Sequence, residues 1–261
     1  MGEYEAIFKR KSVRKYQEEP ITVAELEEVY ELISRHPKLY NIDMELHLVE
    51  DGSQFLDLLK GVIGSYGKII APHYLIATSE IKEGYLENVG YALEYIVLKM
   101  TEMGLGTCYI GGLYDKKNVK KIIKMKDSHQ PVIVVAFGYP KDATDYIKLI
   151  IGSKRRMELE KFCFGDFDNT WRFIMDAVRL SPSAMNSQPW RFYKNQNVID
   201  MYIKSSKNIF HMIEMNRIDA GIALQHLNIA ARYFDINLNF KRLANKEKEG
   251  CIYITSIIEK E

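Results

Sequence analysis

Two short stretches of this chain carry side chains suited to a polar, phosphate-bearing ligand. Residues 181 to 190 read Ser-Pro-Ser-Ala-Met-Asn-Ser-Gln-Pro-Trp. Pro182 has no backbone N–H to continue a helix, so it ends the helical run Trp171 to Leu180. Pro189 stiffens the exit, and Trp190-Arg191-Phe192-Tyr193 restarts as a strand. Between the prolines stand Ser183, Asn186 and Gln188. Amides offer donors and acceptors side by side, so this rigid cluster suits the edge of a planar heterocycle. Near the start of the chain, Arg10-Lys11-Ser12-Val13-Arg14 sets two guanidinium groups around a hydroxyl. That set suits a phosphate, because arginine presents its donors as a fixed fork.

Other candidates are less specific alone. Gly111-Gly112 follows the predicted strand Thr107 to Ile110. It reads as a plain turn, or as a place where backbone N–H groups approach a ligand closely. Lys154-Arg155-Arg156 reads equally as a solvated basic run and as a further phosphate contact. Lys68 precedes the strand Tyr74 to Thr78 and reads first as a surface lysine. No Ser-His-Asp set, HExxH or GxGxxG is evident. His211 and His226 sit in apolar helical surroundings and read as structural or surface residues.

The elements that must position these residues occur in two unequal sets. Asn88-Val89-Gly90-Tyr91-Ala92-Leu93 has a counterpart in Asp219-Ala220-Gly221-Ile222-Ala223-Leu224, displaced by 131 positions. Both helices are apolar well beyond one stripe, as buried helices are. Helix Ala24 to Ser34, opened by Pro20 and Thr22, matches Trp171 to Ser181. Strand Glu45 to Val49 matches Trp190 to Tyr193, and Val132 to Phe137 matches Ile252 to Ile257. The second set lacks counterparts to the predicted helical runs Gln54 to Ile63 and Lys117 to Lys124, and turns at Asn245 to Gly250 instead.

Taken together, the Arg10 segment, Gly104 to Gly112, Gly138-Tyr139-Pro140, Lys154 to Arg156 and the Ser181 loop resemble signatures of FMN-dependent nitroreductases, in the family's order. The resemblance is to a branch in which two unequal nitroreductase-like repeats share one chain. It implies an α+β fold, with two related halves forming a pseudo-dimer of mostly antiparallel sheets flanked by helices. The halves would be residues 1–160 and 161–261. It implies that Arg10, Lys11, Ser12, Arg14, Lys154 and Arg156 bind the FMN phosphate and ribityl chain. Gly111 and Gly112 would approach flavin N5, and Pro182, Ser183, Asn186 and Gln188 would hold the flavin from the other half. The reciprocal loop reads His36-Pro37-Lys38-Leu39-Tyr40-Asn41, and the second half begins Gly165-Asp166-Phe167-Asp168-Asn169 without paired arginines. One FMN per chain is therefore expected, in a monomer with an internal pseudo-two-fold. NAD(P)H would be the transient electron donor and a nitroaromatic or similar small molecule the acceptor. A non-catalytic FMN sensor or carrier is the alternative, and reductive dehalogenation or flavin breakdown is a further chemistry known on this fold.

Bulk properties agree with a globular protein. The chain has 261 residues, 47% of them apolar, and a net charge of +1, which gives no nucleic-acid footprint. No apolar run reaches the roughly 18 residues of a membrane helix. The acidic start, Met-Gly-Glu-Tyr-Glu, does not resemble a signal peptide. Three widely spaced cysteines offer no disulfide framework or metal pair, so a reducing cytoplasm is expected.

Overall fold

A computed structural model describes residues 1–56, 69–111, 116–141, 156–205, 210–244 and 246–260. The first half runs α1 (Glu3–Lys9), α2 (Val23–Ser34), β1 (Met44–Val49), α3 (Ser53–Leu56), β2 (His73–Glu80), α4 (Tyr85–Glu102), β3 (Gly106–Ile110) and β4 (His129–Gly138). The second runs β5 (Cys163–Phe164), α5 (Asn169–Arg179), β6 (Trp190–Asn195), β7 (Val198–Lys204), α6 (Phe210–Tyr233), β8 (Leu238–Lys241) and β9 (Cys251–Glu259).

Local chemistry explains the boundaries. Thr22 opens α2 by accepting the Glu25 N–H at 3.3 Å, and the Glu25 carboxylate accepts the Thr22 N–H in return, a capping box. Asp168 opens the matching helix α5 by accepting the Trp171 N–H at 2.9 Å. The predicted helical run Lys117 to Lys124 differs: a 3-10 helix spans Lys116–Lys121 instead. Lys117, Lys120, Lys121 and Lys124 put like charges at helical spacing and leave no broad apolar stripe. Of the predicted run Gln54 to Ile63, only the part within α3 lies among the described residues.

The two sheets share a plan. The first has the order β1-β2-β4-β3 and the second β5-β6-β7-β9-β8. All pairs are antiparallel except β5 with β6. Removing the added edge strand β5 leaves β6-β7-β9-β8, the same order as the first sheet. Each sheet also has one register irregularity in its second strand, at Ala77/Thr78 and at Met201/Tyr202.

Helices α4 and α6 join the halves. A Cβ on Gly90 would lie 2.1 Å from the Ile218 carbonyl oxygen, and one on Gly221 would lie 2.0 Å from the Glu87 carbonyl oxygen. The contact is reciprocal, because positions 87 and 90 stand to 218 and 221 at the same displacement of 131. Only glycine permits this backbone approach. One hydrophobic cluster packs α1, α5 and α6 with the second sheet, including Trp171, Trp190 and Leu224. Another packs α2 and α4 on the first sheet, and a third covers that sheet's opposite face around Tyr16, Phe55 and Tyr74.

Candidate functional site

The Ser181 loop is held in an unusual backbone conformation. Met185, Asn186 and Gln188 have φ of 53, 57 and 47°, three of the five left-handed non-glycine residues among those described. Such residues persist where the surroundings over-determine them, and they concentrate at ligand sites. Here the Gln188 N–H donates to Ser183 Oγ at 3.0 Å, and the Asn186 N–H donates to the Ser183 carbonyl at 2.9 Å. Gln188 Oε1 accepts the Met157 N–H at 2.8 Å. The Ala184 N–H donates to Asp219 Oδ2 on α6 at 3.0 Å. Ser183, Asn186 and Gln188 thus shape the loop itself. Pro182 begins the loop directly after buried Ser181.

Arg156 clamps this loop to the end of α5. Its Nη1 donates to the Ser181 carbonyl at 2.7 Å and to Asn186 Oδ1 at 3.2 Å, and its Nη2 donates to the Leu180 carbonyl at 3.0 Å. Two of these acceptors are the carbonyls of the α5 C-cap, Leu180, and of Ser181 just beyond it, at the helix end that favours a cation. Burial, with nearby Arg10 adding repulsion, pulls the Arg156 pKa down to about 10. The Lys-Arg-Arg run therefore ends in a structural contact, and is not wholly solvated.

The Arg10 segment lies along β3. Ser12 bridges Thr107 in parallel, and the Val13 N–H donates to the Thr107 carbonyl at 2.8 Å. The Arg10 side chain is only 5% exposed, and its Nε stands 3.8 Å from Glu94 Oε1. That Nε is buried without a hydrogen bond. Arg14 is exposed and Lys11 half-buried, with the Lys11 ammonium pKa lowered by burial. Both arginines bear on the Cys108 thiol, which burial pushes up.

Glu94 is the hub between halves. Its Oε2 accepts the Tyr109 hydroxyl at 2.8 Å, and its Oε1 meets His226 Nε2 at 2.8 Å. His226 Nδ1 lies 3.0 Å from the Ala177 carbonyl in α5. Glu94 and His226 are wholly buried. Both ring nitrogens face oxygen atoms, which fixes the ring between α4 and α5. Burial and adjacent Glu94 raise the Tyr109 pKa well above the ordinary phenol value. His226 is thus structural, and His211 has no described side chain.

Gly111 ends β3 against α6, where an added Cβ would stand 2.5 Å from Met215 Sδ. Gly112, Lys154 and Lys68 lie outside the described residues. The structure therefore brings Arg10, Arg156, Asn186 and Gln188 into one neighbourhood, with Ser12 and Gly111 at either end of β3. Sequence reasoning assigned no role of their own to Glu94, Tyr109 and Asp219. Their only signal was a polar or ionisable group inside a buried segment. Among the described residues no His/Cys/Asp/Glu cluster suits a metal ion, and no helix is long and apolar enough to cross a membrane.

Comparison with known proteins fits this geometry. A crystal structure of a "putative nitroreductase" from Thermotoga maritima covers 99% of this chain and 93% of its own, at 20% identity and TM-score 0.64. A "putative NADH dehydrogenase/NAD(P)H nitroreductase" from Bacteroides thetaiotaomicron covers 64% of this chain and all of its own, at 19% identity and TM-score 0.50. A nitroreductase from Bacteroides fragilis, solved with bound FMN, covers 55% of this chain and 90% of its own at 19% identity and TM-score 0.46, too distant to carry its cofactor across. None of the curated proteins matches in sequence. The family model described as "Putative TM nitroreductase" matches residues 3–231, and the chain belongs to that nitroreductase family.

Proposed function

We propose that this chain binds one FMN between its halves and acts as an NAD(P)H oxidoreductase on a nitroaromatic or similar acceptor. We read residues 1–160 and 161–261 as unequal repeats of one nitroreductase unit, so that the protein works as a monomeric pseudo-dimer. Matching strand order and the reciprocal Gly90 and Gly221 contacts support that reading. The three cysteines, free in the structure, suit a reducing cytoplasm.

The residues present fit the cofactor. Arg10 offers an anion a buried Nε that makes no hydrogen bond, 3.8 Å from Glu94 Oε1. Arg14, Arg156, Lys11 and Ser12 would complete the phosphate and ribityl contacts, with Lys154 assigned from the sequence alone. Gly111 lets Met215 pack directly on its backbone, with Gly112 next in sequence, and these would be the residues nearest flavin N5. Pro182, Ser183, Asn186 and Gln188 present a preorganised polar loop from the second half. The flavin would supply hydride acceptance from the nicotinamide and two-electron delivery to the acceptor. The protein's part is to bind, orient and exclude water.

One observation carries this assignment: Arg156 links the strained loop to the charged neighbourhood of Arg10 and Glu94. Purified protein should contain FMN. Anaerobic NADH or NADPH should bleach its visible band, and a nitroaromatic should restore it. Failure to bind FMN would contradict the proposal. Flavin that binds but resists bleaching by either nicotinamide would favour the sensor or carrier.

A further inference from the structure

Asp219 is 5% exposed and lies on α6 beside both parts of the composite site. Its Oδ2 accepts the Ala184 N–H of the flavin loop at 3.0 Å. Four residues earlier, Met215 packs on Gly111 at the end of β3. Three residues earlier, Asn216 is 6% exposed, and its Oδ1 is buried with no hydrogen bond. Among the described residues Asp219 has no ion pair, and its Oδ1 has no hydrogen-bond partner. A buried carboxylate without a cation is costly, and such groups neutralise instead.

The same position in the first half shows what the backbone contact requires. Displaced by 131, Asp219 corresponds to Asn88 on α4. Asn88 Oδ1 accepts the Leu39 and Tyr40 N–H groups at 2.8 and 2.9 Å, holding the loop that corresponds to the flavin loop. Its Nδ2 is also used, donating to Met44 Sδ at 3.3 Å. An amide therefore suffices to anchor such a loop. Where the flavin signature is retained, a carboxyl stands instead, with one oxygen to spare.

We infer that Asp219 is a ligand-binding residue held as the neutral acid, accepting the loop N–H on one oxygen and donating a hydrogen bond from the other. The recipient is a hydrogen-bond acceptor on a planar ligand: a carbonyl oxygen or ring nitrogen of the flavin, or a nitro oxygen of the electron acceptor. This rests on the flavin reading above. Burial pushes the Asp219 pKa well above the carboxylate range, in agreement. The titratable side chain facing it is Tyr109 from β3, with Glu94 and Arg10 beyond it. The loop presents only the Ala184 N–H.

The test compares wild type with Asp219→Asn and Asp219→Leu. Asparagine can accept from Ala184 and donate from Nδ2, so it mimics the neutral acid. Leucine can do neither. On this inference the folded carboxyl of the apo chain stays protonated, whereas an unfolded one ionises near 3.8. Wild-type stability should therefore fall as pH rises from that value through the raised native pKa, and Asp219→Asn should melt higher at neutral pH without that loss. In FMN titrations from pH 6 to 9, Asp219→Asn should bind within about threefold of wild type at the lower end and, relative to wild type, gain as pH rises. Asp219→Leu should lose about tenfold or more of one affinity, the worth of one buried hydrogen bond. Loss of FMN affinity places the recipient on the flavin. Loss of 4-nitrobenzoate affinity in the FMN-loaded protein alone places it on the acceptor. If Asp219→Asn loses as much as Asp219→Leu, or neither loses either ligand, the inference is overturned. Should leucine unfold the chain, the asparagine pH comparison still decides. A wild-type chain that binds no FMN would instead overturn the flavin reading, and the apo melting comparison would still test the neutral acid.

Discussion

The two loops anchored on helices α4 and α6 are built differently. On one side, Ser181 to Trp190 retains its polar cluster, three left-handed residues and the Arg156 clamp. On the same side Gly111 has no side chain, and Met215 packs against its backbone. On the other side, the loop of residues 36–41 is tied to Asn88, and Tyr40 packs its ring against Gly84. The position matching Gly111 is Arg242, displaced by 131, and its guanidinium ion-pairs with Glu83 at 2.6 Å. Where one side has a glycine with Met215 packed on it, the other has an arginine and a tyrosine. Two halves with the same strand order thus carry different loops: the α4–α6 packing is reciprocal, while the polar loop cluster stands on one side.

The largest effect is expected at the helix interface. Glu94 carries the Arg10, Tyr109 and His226 contacts, whereas its counterpart Gln225 has a buried Oε1 without a partner. Glu94→Leu should cost about 3–5 kcal/mol, because it leaves other buried polar groups uncompensated. Gln225→Leu should be near neutral, since it removes an acceptor that already lacks a bond. Urea denaturation of both variants checks this, and equal losses would refute the asymmetry.

Next in size is cofactor affinity. Arg14→Ala should weaken FMN binding tenfold or more, from a charge-assisted bond of about 1.5–3 kcal/mol. Arg242→Ala should leave it unchanged, because that arginine belongs to the filled side. Fluorescence titration with FMN separates the two, and unchanged affinity after losing both Arg10 and Arg14 would remove the phosphate assignment.

Gly90→Ala and Gly221→Ala sharpen the symmetric part of the comparison. Each should destabilise by about 1–3 kcal/mol through overpacking, outweighing alanine's helix-propensity gain of about 1 kcal/mol. Similar losses in thermal melts would match the reciprocal contacts, and a gain in either would contradict them. The smallest effects belong to the helix caps. Thr22→Ala and Asp168→Ala should each cost about 1 kcal/mol, with no second flavin site appearing in Asp168→Ala when FMN is titrated.

Much of this was legible in the sequence because local chemistry announced it. Pro182 and Pro189 bracketed the loop, Thr22 marked α2, and Gly90 with Gly221 marked the close helices. Strands β7 and β8 were not anticipated, since neither carried a motif or an assigned counterpart. The Lys117 run is helical only as a 3-10 turn over Lys116–Lys121, because its clustered lysines leave no broad apolar stripe. Arg156 was foreseen as a phosphate contact, but its hold on the α5 carbonyls depends on where the chain returns. Glu94, His226 and Asp219 gain their meaning from partners 15 to 132 positions away. No local pattern announces such pairs.

The central claim is that one composite flavin site is retained and its counterpart is not. Quantifying FMN released from saturated, repurified protein against chain concentration tests it most directly. The account predicts a ratio near one, abolished by Asn186→Ala combined with Gln188→Ala. A ratio near two, or flavin seated beside Arg242 and Asp166 in a crystal, would contradict it.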